Sequence, residues 1–243
     1  MAQIGYGYGS EYQLLRFLGH HRRELEHIIS EQIGEGTYEW EDFEYANPKK
    51  VISEDKELTG IDFLKKLYPL QYEEVAEEYK TYIKKSDWQN WDAVFSHNGT
   101  LYLVEAKAHI SELSSGKEEH GDSSKELILK YFQSQLPDLP VNRVWLQDYY
   151  QLANRLATVA LLNKHGIKAK VLYIYFVNGY RKRVLEKEGR TEKIFETVNL
   201  NATEKQFKKA IAIELQTLGI THDAVSNLLA PSVFINAEPI AYK

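Results

Sequence analysis

Asn98-Gly99 is the feature that most restricts how this chain can fold. The pair readily adopts both left-handed positions of a type I′ turn, and strand-forming residues flank it on either side. If these two residues are the loop, an antiparallel pair results in which His97 faces Thr100, Phe95 faces Tyr102 and Asp92 faces Glu105. Two acids then become neighbours on one face, with Cβ atoms about 4.5–5.5 Å apart, and like charges there destabilise a sheet. A divalent cation is the economical compensation, because Mg²⁺ is commonly held by one or two carboxylates and fills its shell with water or phosphate. Lys107, two residues beyond Glu105, falls on the same face by strand alternation. There its amine can orient or deprotonate a metal-bound water, or stabilise negative charge growing on a phosphate. The alternative is a surface ion pair of Glu105 with Lys107, and an Asp92 that caps the loop after Trp88. That reading sits badly with the apolar run Leu101 to Val104, since buried-looking strands rarely carry an acid without a partner.

Around the hairpin the chain reads mainly as helices. Leu14, Leu18, Leu25 and Ile29, with Leu15 and Ile28, share one apolar face of a helix from about Glu11 to Ile33, stopped by Gly34 and Gly36. The glycines at 5, 7 and 9 suggest a tail or a turn before it. TYEWEDFEYANPKK reads as strand plus loop, and Thr59 to Leu67 and Tyr72 to Lys84 as helical pieces divided by Pro69. Strands are expected at 91–95 and 101–108, then a loop over SELSSGKEEHGDSSK and a helix from Ser124 to Phe132 closed off by Pro137 and Pro140. Leu152, Leu156, Val159 and Leu162 recur at helical spacing between Asp148 and Lys164, with Gly166 just beyond. The apolar run Val171 to Val177 follows, completing an α/β unit. The tail carries a helix near 203–217, where Asn201 and Glu204 are spaced for a capping box, and a short helix ended by Pro231. No repeat or low-complexity linker divides the chain, so a single domain over 1–243 is the simpler organisation.

Charge bears on partners. Thirty basic against 35 acidic residues leave a formal charge of −5, so a chain-wide basic coat for nucleic acid is absent. A local patch is not excluded, and Arg181, Lys182, Arg183, Lys187, Arg190 and Lys193 follow the expected strand directly. The absence of cysteine excludes disulfides, thiolate metal sites and cysteine nucleophiles, and no H-E-x-x-H spacing supports zinc. No apolar run approaches the roughly 20 residues that span a bilayer, and the N-terminus lacks a basic patch followed by an apolar core. A soluble, cytoplasmic protein without a membrane partner is expected.

Asp92 followed by Glu105-Ala106-Lys107 at a strand end resembles the PD-(D/E)xK nuclease superfamily, also called restriction endonuclease-like. The resemblance covers roughly residues 85–180, and the family's proline before the aspartate is replaced by Trp91. It implies an α/β fold with a restriction endonuclease-like core: a mixed four-stranded sheet flanked by helices in αβββαβ order, with extra N- and C-terminal helices. It implies hydrolysis of DNA or RNA phosphodiesters with Mg²⁺, for which Mn²⁺ is a substitute. Asp92 and Glu105 then look like the metal ligands and Lys107 like the catalytic lysine. Members often place a glutamine or basic residue from the following helix near the metal centre or scissile phosphate, which points to Gln151 and Arg155 beside Thr158. The alternative is a catalytically inactive nuclease-like module that binds nucleic acid or protein, and a homodimer is compatible with either.

Other candidates are weaker. Some members supply a further glutamate from the first helix, for which Glu24 and Glu31 are the positions here, although an ordinary surface role is favoured. His109 is a candidate accessory contact, and His20, His21, Arg22 and Arg23 could meet phosphate or pack at a helix surface. Glu112, Ser114, Ser115 and Lys117 begin a loop that could gate substrate. Trp88, Trp91 and Trp145 are better read as packing residues than as stacking platforms.

Overall fold

A computed structural model describes residues 9–41, 58–84, 89–114, 122–178, 180–186, 193–199 and 202–237. The elements in chain order are α1 (Ser10–His20), α2 (Arg22–Ile33), β1 (Tyr38–Glu41), β2 (Leu58–Thr59), α3 (Leu64–Leu67), α4 (Pro69–Tyr82), β3 (Asn90–Trp91), β4 (Ala93–His97), β5 (Thr100–Lys107), α5 (Asp122–Gln135), α6 (Tyr150–Lys164), β6 (Ala169–Val177), β7 (Tyr180–Glu186), β8 (Lys193–Asn199), α7 (Glu204–Leu218) and β9 (Val233–Asn236).

The hairpin organises the sheet as its sequence requires. Asn98 and Gly99 take φ of 49° and 72°, and the ladder pairs His97 with Thr100, Phe95 with Tyr102 and Ala93 with Val104. A valine at position 99 forces a β-branched side chain into left-handed backbone. Gly99→Val is therefore expected to cost about 1–2 kcal/mol of stability in urea unfolding; an unchanged midpoint would mean that the turn adopts another form.

The main sheet has five strands in the order β1-β4-β5-β6-β9. β4 is antiparallel to both β1 and β5, whereas β6 runs parallel to β5 and β9 parallel to β6. The result is an α/β fold with a mixed sheet flanked by helices and with additional helices towards both ends. It differs from the four-stranded expectation by β9, which the sequence reading missed. That reading placed a short helix before Pro231; the structure has a 3₁₀ turn at Asp223–Val225 and then β9. The sheet thus draws strands from both sides of residues 85–180.

Helices cover both faces. Leu14, Phe17, Leu18, Leu25 and Ile29 from α1 and α2 pack against Phe95, Tyr102, Val104, Leu172, Ile174 and Phe176. The expected single helix breaks at His21, where Gly19 and two histidines make weak helix formers. The opposite face, built from Val94, Leu101, Leu103, Val171, Tyr173 and Tyr175, is covered by α4, α5, α6 and α7. Pro69 opens α4 as its first residue, where the missing N–H costs nothing. Thr59, expected to be helical, pairs in the short ribbon of β2 with β3. The capping box of α7 is formed by Thr203 and Gln206, not by Asn201 and Glu204. Asn201 lies outside the described residues, as do Trp88, Ser115, Lys117, Lys187 and Arg190. No helix among the described residues is long and apolar enough to cross a membrane.

Candidate active site

The site forms where the carboxyl ends of β5 and β6 lie beside the start of β4. Glu105 and Lys107 project from β5 onto the face covered by α6, and both are buried. Their register partners on β6 are Tyr173 and Tyr175. Lys107 Nζ donates to Glu105 Oε1 at 2.7 Å and to Gln151 Oε1 at 2.7 Å. Gln151 Nε2 donates in turn to Glu105 Oε1 at 2.8 Å. Arg155 holds the other carboxylate oxygen, its Nε and Nη2 reaching Glu105 Oε2 at 3.0 and 2.8 Å. Four donors thus occupy Glu105. Burial alone would raise its pKa, but the Arg155 and Lys107 cations outweigh burial and hold it below the usual range.

Arg155 also fixes the strand that delivers Asp92. Its Nη1 donates to Gln89 Oε1 at 2.9 Å, its Nη2 to the Asn90 carbonyl at 3.0 Å, and its guanidinium lies 5.0 Å over the Trp91 ring. Gln89 Nε2 then donates to Thr158 Oγ1 at 2.6 Å, one turn along α6. Planar geometry with several donors lets one arginine serve both Glu105 and the approach to Asp92, which a lysine could not do.

Asp92 sits at the point where the chain leaves the ladder. Cα pairing with β5 ends at Ala93 with Val104, so Asp92 and Glu105 are not a ladder pair as the uninterrupted hairpin would make them. The chain turns away to pair Asn90 and Trp91 with β2, and the indole of Trp91 donates to the Gly60 carbonyl at 2.9 Å. The Asp92 side chain fills the gap: its Oδ2 accepts from the Ala106 N–H at 2.6 Å. Asp92 is only partly covered as a residue, but its carboxyl is pushed up to about 8, first by burial and then by the charge of Glu105. The repulsion expected from the two acids is therefore present, relieved near neutral pH by a proton on Asp92.

The acids of the site are two, Asp92 and Glu105. Among the described residues no group of three or more histidine, cysteine, aspartate or glutamate side chains gathers to hold a metal ion. A cation at this site would rest on Asp92 and Glu105 and complete its shell with water or phosphate oxygens, a mode common for Mg²⁺ and poor for structural Zn²⁺ or Ca²⁺. Asp92 offers the oxygen not bonded to Ala106, while Glu105 must first release one of its donors.

The remaining candidates fall elsewhere. Glu24 and Glu31 lie on α2, paired with His21 at 3.4 Å and His27 at 3.9 Å, in the layer on the opposite sheet face. His109 follows the end of β5 and lies 3.9 Å from Glu112; the Glu112 carboxylate also accepts from the Ala108 N–H at 3.4 Å. Trp145 is a packing residue that donates to the Leu218 carbonyl at 3.1 Å. Arg181, Lys182 and Arg183 lie in β7, in register with Val198, Thr197 and Glu196 of β8. Sequence reasoning passed over Glu214 of α7, a buried acid on the same sheet face as the site. Its spacing of seven from Phe207 and four from Leu218 puts it on the apolar face of the helix, a signal that was available.

Fold and site together define a class: a mixed α/β domain with a buried carboxylate, lysine and arginine network at the carboxyl ends of its central strands. No protein-family model, no curated protein and no solved structure matches the chain.

Proposed function

We propose that the chain is a divalent-metal-dependent nuclease that hydrolyses phosphodiester bonds in DNA or RNA, built on a restriction endonuclease-like core. The observation that carries this reading is the placing of Asp92, at the break between β3 and β4 and bonded to the Ala106 N–H, within reach of the charge of Glu105 of β5, to which Lys107 is bonded. The element order offers support, since α1–α2, β1, β4, β5, α6 and β6 follow the αβββαβ sequence of the resembled family once β2, α3, α4 and β3, between β1 and β4, and α5, between β5 and α6, are taken as insertions. In open α/β sheets, ligands gather outside the carboxyl ends of strands, the end at which these groups lie.

Asp92 and Glu105 would hold Mg²⁺ or Mn²⁺. When bound, such an ion polarises a phosphoryl oxygen and makes its water more acidic. The chain's own groups do the rest. Arg155 grips one oxygen of Glu105, so the carboxylate can pivot its other oxygen away from Gln151 without leaving the site. Lys107 offers a fixed positive charge to an attacking water or to the developing phosphorane. Gln151, half-buried at the start of α6, orients Lys107 and can turn its amide towards a phosphate oxygen. Arg181, Lys182 and Arg183 lie in β7, the strand that follows β6.

The test is a panel of single- and double-stranded DNA and RNA incubated with Mg²⁺ or Mn²⁺. Lys107→Met is expected to lower the cleavage rate by about 100-fold or more while calorimetric binding of Mn²⁺ persists. Unchanged cleavage in that variant would remove Lys107 from the mechanism.

One observation favours the second reading, a nuclease-like module that binds nucleic acid or protein without turnover: both oxygens of Glu105 are already filled by protein donors. That reading expects retention of nucleic acid in EDTA and no products in Mg²⁺.

A further inference from the structure

Arg155 serves two parts of the site with two edges of one flat group. Its Nε and Nη2 lie against Glu105 Oε2 at 3.0 and 2.8 Å. The adjacent edge, Nη1 with Nη2, meets Gln89 Oε1 at 2.9 Å and the Asn90 carbonyl at 3.0 Å. Because a guanidinium is rigid and planar, turning one edge off its partners turns the other as well.

Gln89 anchors the second edge. Its side chain is buried and uses both ends, Oε1 accepting from Arg155 and Nε2 donating to Thr158 Oγ1 at 2.6 Å. Chemistry dictates that orientation, since a guanidinium only donates whereas a hydroxyl can accept. The frame around the amide is fixed too: Tyr131, fully buried, donates to the same Thr158 oxygen at 3.4 Å, and the Gln89 carbonyl accepts from the Gly60 N–H at 2.6 Å. Gln89 stands three residues before Asp92 and reaches Glu105 through Arg155.

We infer that Gln89 is a positioning residue that acts through Arg155: its amide sets the rotation of the guanidinium, which keeps Glu105 Oε2 gripped and docks the segment that carries Asp92. The place demands a neutral amide. A carboxylate there would compete with Glu105 for Arg155, an ammonium would repel it, and a thioether of similar length would leave Nη1 buried without an acceptor. Groups that orient a metal's ligands from behind typically change metal affinity by about 10–100-fold. That consequence rests on the nuclease reading, whereas the hold of Gln89 on Arg155 does not.

The full-length chain in EDTA tests the hold. Gln89→Met removes the amide at nearly constant length, and Thr158→Val, a milder change, removes only the hydroxyl that fixes it. The readout is hydrogen exchange at the Arg155 Nε–H in ¹⁵N-arginine spectra, assigned by through-bond correlation to its backbone. That N–H is bonded to Glu105, not to Gln89, so a Gln89 that only fills space would leave it unmoved when replaced. Exchange should be at least about 10-fold faster in Gln89→Met than in the parent, and faster by a smaller factor in Thr158→Val. Equal protection in the parent and Gln89→Met would overturn the inference, as would a parent without a protected Arg155 signal. Calorimetric titration with Mn²⁺ tests the consequence. Gln89→Met should weaken binding by about 10–100-fold, yet by less than about 2-fold in an Arg155→Lys background, where the route through the guanidinium is gone. A full effect in both backgrounds would contradict action through Arg155. If the parent binds no Mn²⁺ and cuts nothing, the nuclease reading fails, and the exchange experiment still decides whether Gln89 holds Arg155.

Discussion

Replacing Glu105 with glutamine is expected to have the largest effect of any single change in the molecule. Glutamine keeps the shape but removes the charge that answers both Arg155 and Lys107, each buried and each bonded to it. Its amide would also point a donor at one of those donors. Removing one partner of a buried ion pair costs about 3–5 kcal/mol, because the other charge stays in a poor solvent. Urea unfolding of Glu105→Gln should register a loss of that size, and metal-dependent cleavage should fall by about 1,000-fold or more. A variant as stable as the parent would mean that Arg155 and Lys107 find other anions. A stable variant that still cuts would exclude Glu105 as a ligand.

Asp92→Asn should act in the opposite sense on stability. The folded Asp92 carboxyl titrates at about 8, whereas an unfolded one titrates near 4. Between those values the unfolded chain has released the proton that the folded chain retains, so Asp92's contribution is fully present below about pH 4 and is lost as pH rises through about 8. Glu214, pushed up to about 8 mainly by burial, shifts stability the same way. Asparagine keeps an acceptor for the Ala106 N–H and carries no charge at any pH. The variant should therefore match the parent below about pH 4 and exceed it by about 2 kcal/mol near pH 9, less than the full shift because Asp92 keeps part of its surface in water. Mg²⁺ should stabilise the parent more at pH 8.5 than at pH 6, since the ion competes with the proton for Asp92, and should leave Asp92→Asn unmoved. Thermal melts at two pH values with and without Mg²⁺ measure both effects. A gain in the variant that is equal at pH 5 and pH 9 would mean that Asp92 is not the group with the raised pKa.

Local chemistry made the centre of the fold legible. Asn98-Gly99 can hardly do anything but turn, and once it turns, period-two alternation dictates which residues of β4 and β5 share a face. The helical spacing of Leu152, Leu156 and Leu162 likewise brought Gln151 and Arg155 onto one stripe, which the structure turns towards Glu105. Features settled by distant partners were harder to read. β9 is four residues long and pairs in parallel with β6 across an intervening helix, so no turn announces it. The ladder stops before Asp92 because β2, more than thirty residues earlier, claims Asn90 and Trp91. Two overlapping capping patterns, Asn201 with Glu204 and Thr203 with Gln206, are equivalent on paper. The chain adopts the second, as Asn178 N–H bonds the Ala202 carbonyl at 3.0 Å just before the helix. Glu214 was overlooked because glutamate on a helix is ordinarily a solvated residue.

Crystals soaked in Mn²⁺ offer the most direct trial of the central claim, since anomalous scattering locates the ion without assumption. One Mn²⁺ is expected, bonded to a carboxylate oxygen of Asp92 and to one of Glu105, with Gln151 displaced and Arg155 still on Glu105. Soaked crystals in which those carboxylates keep their present partners and no anomalous peak lies between them would contradict it.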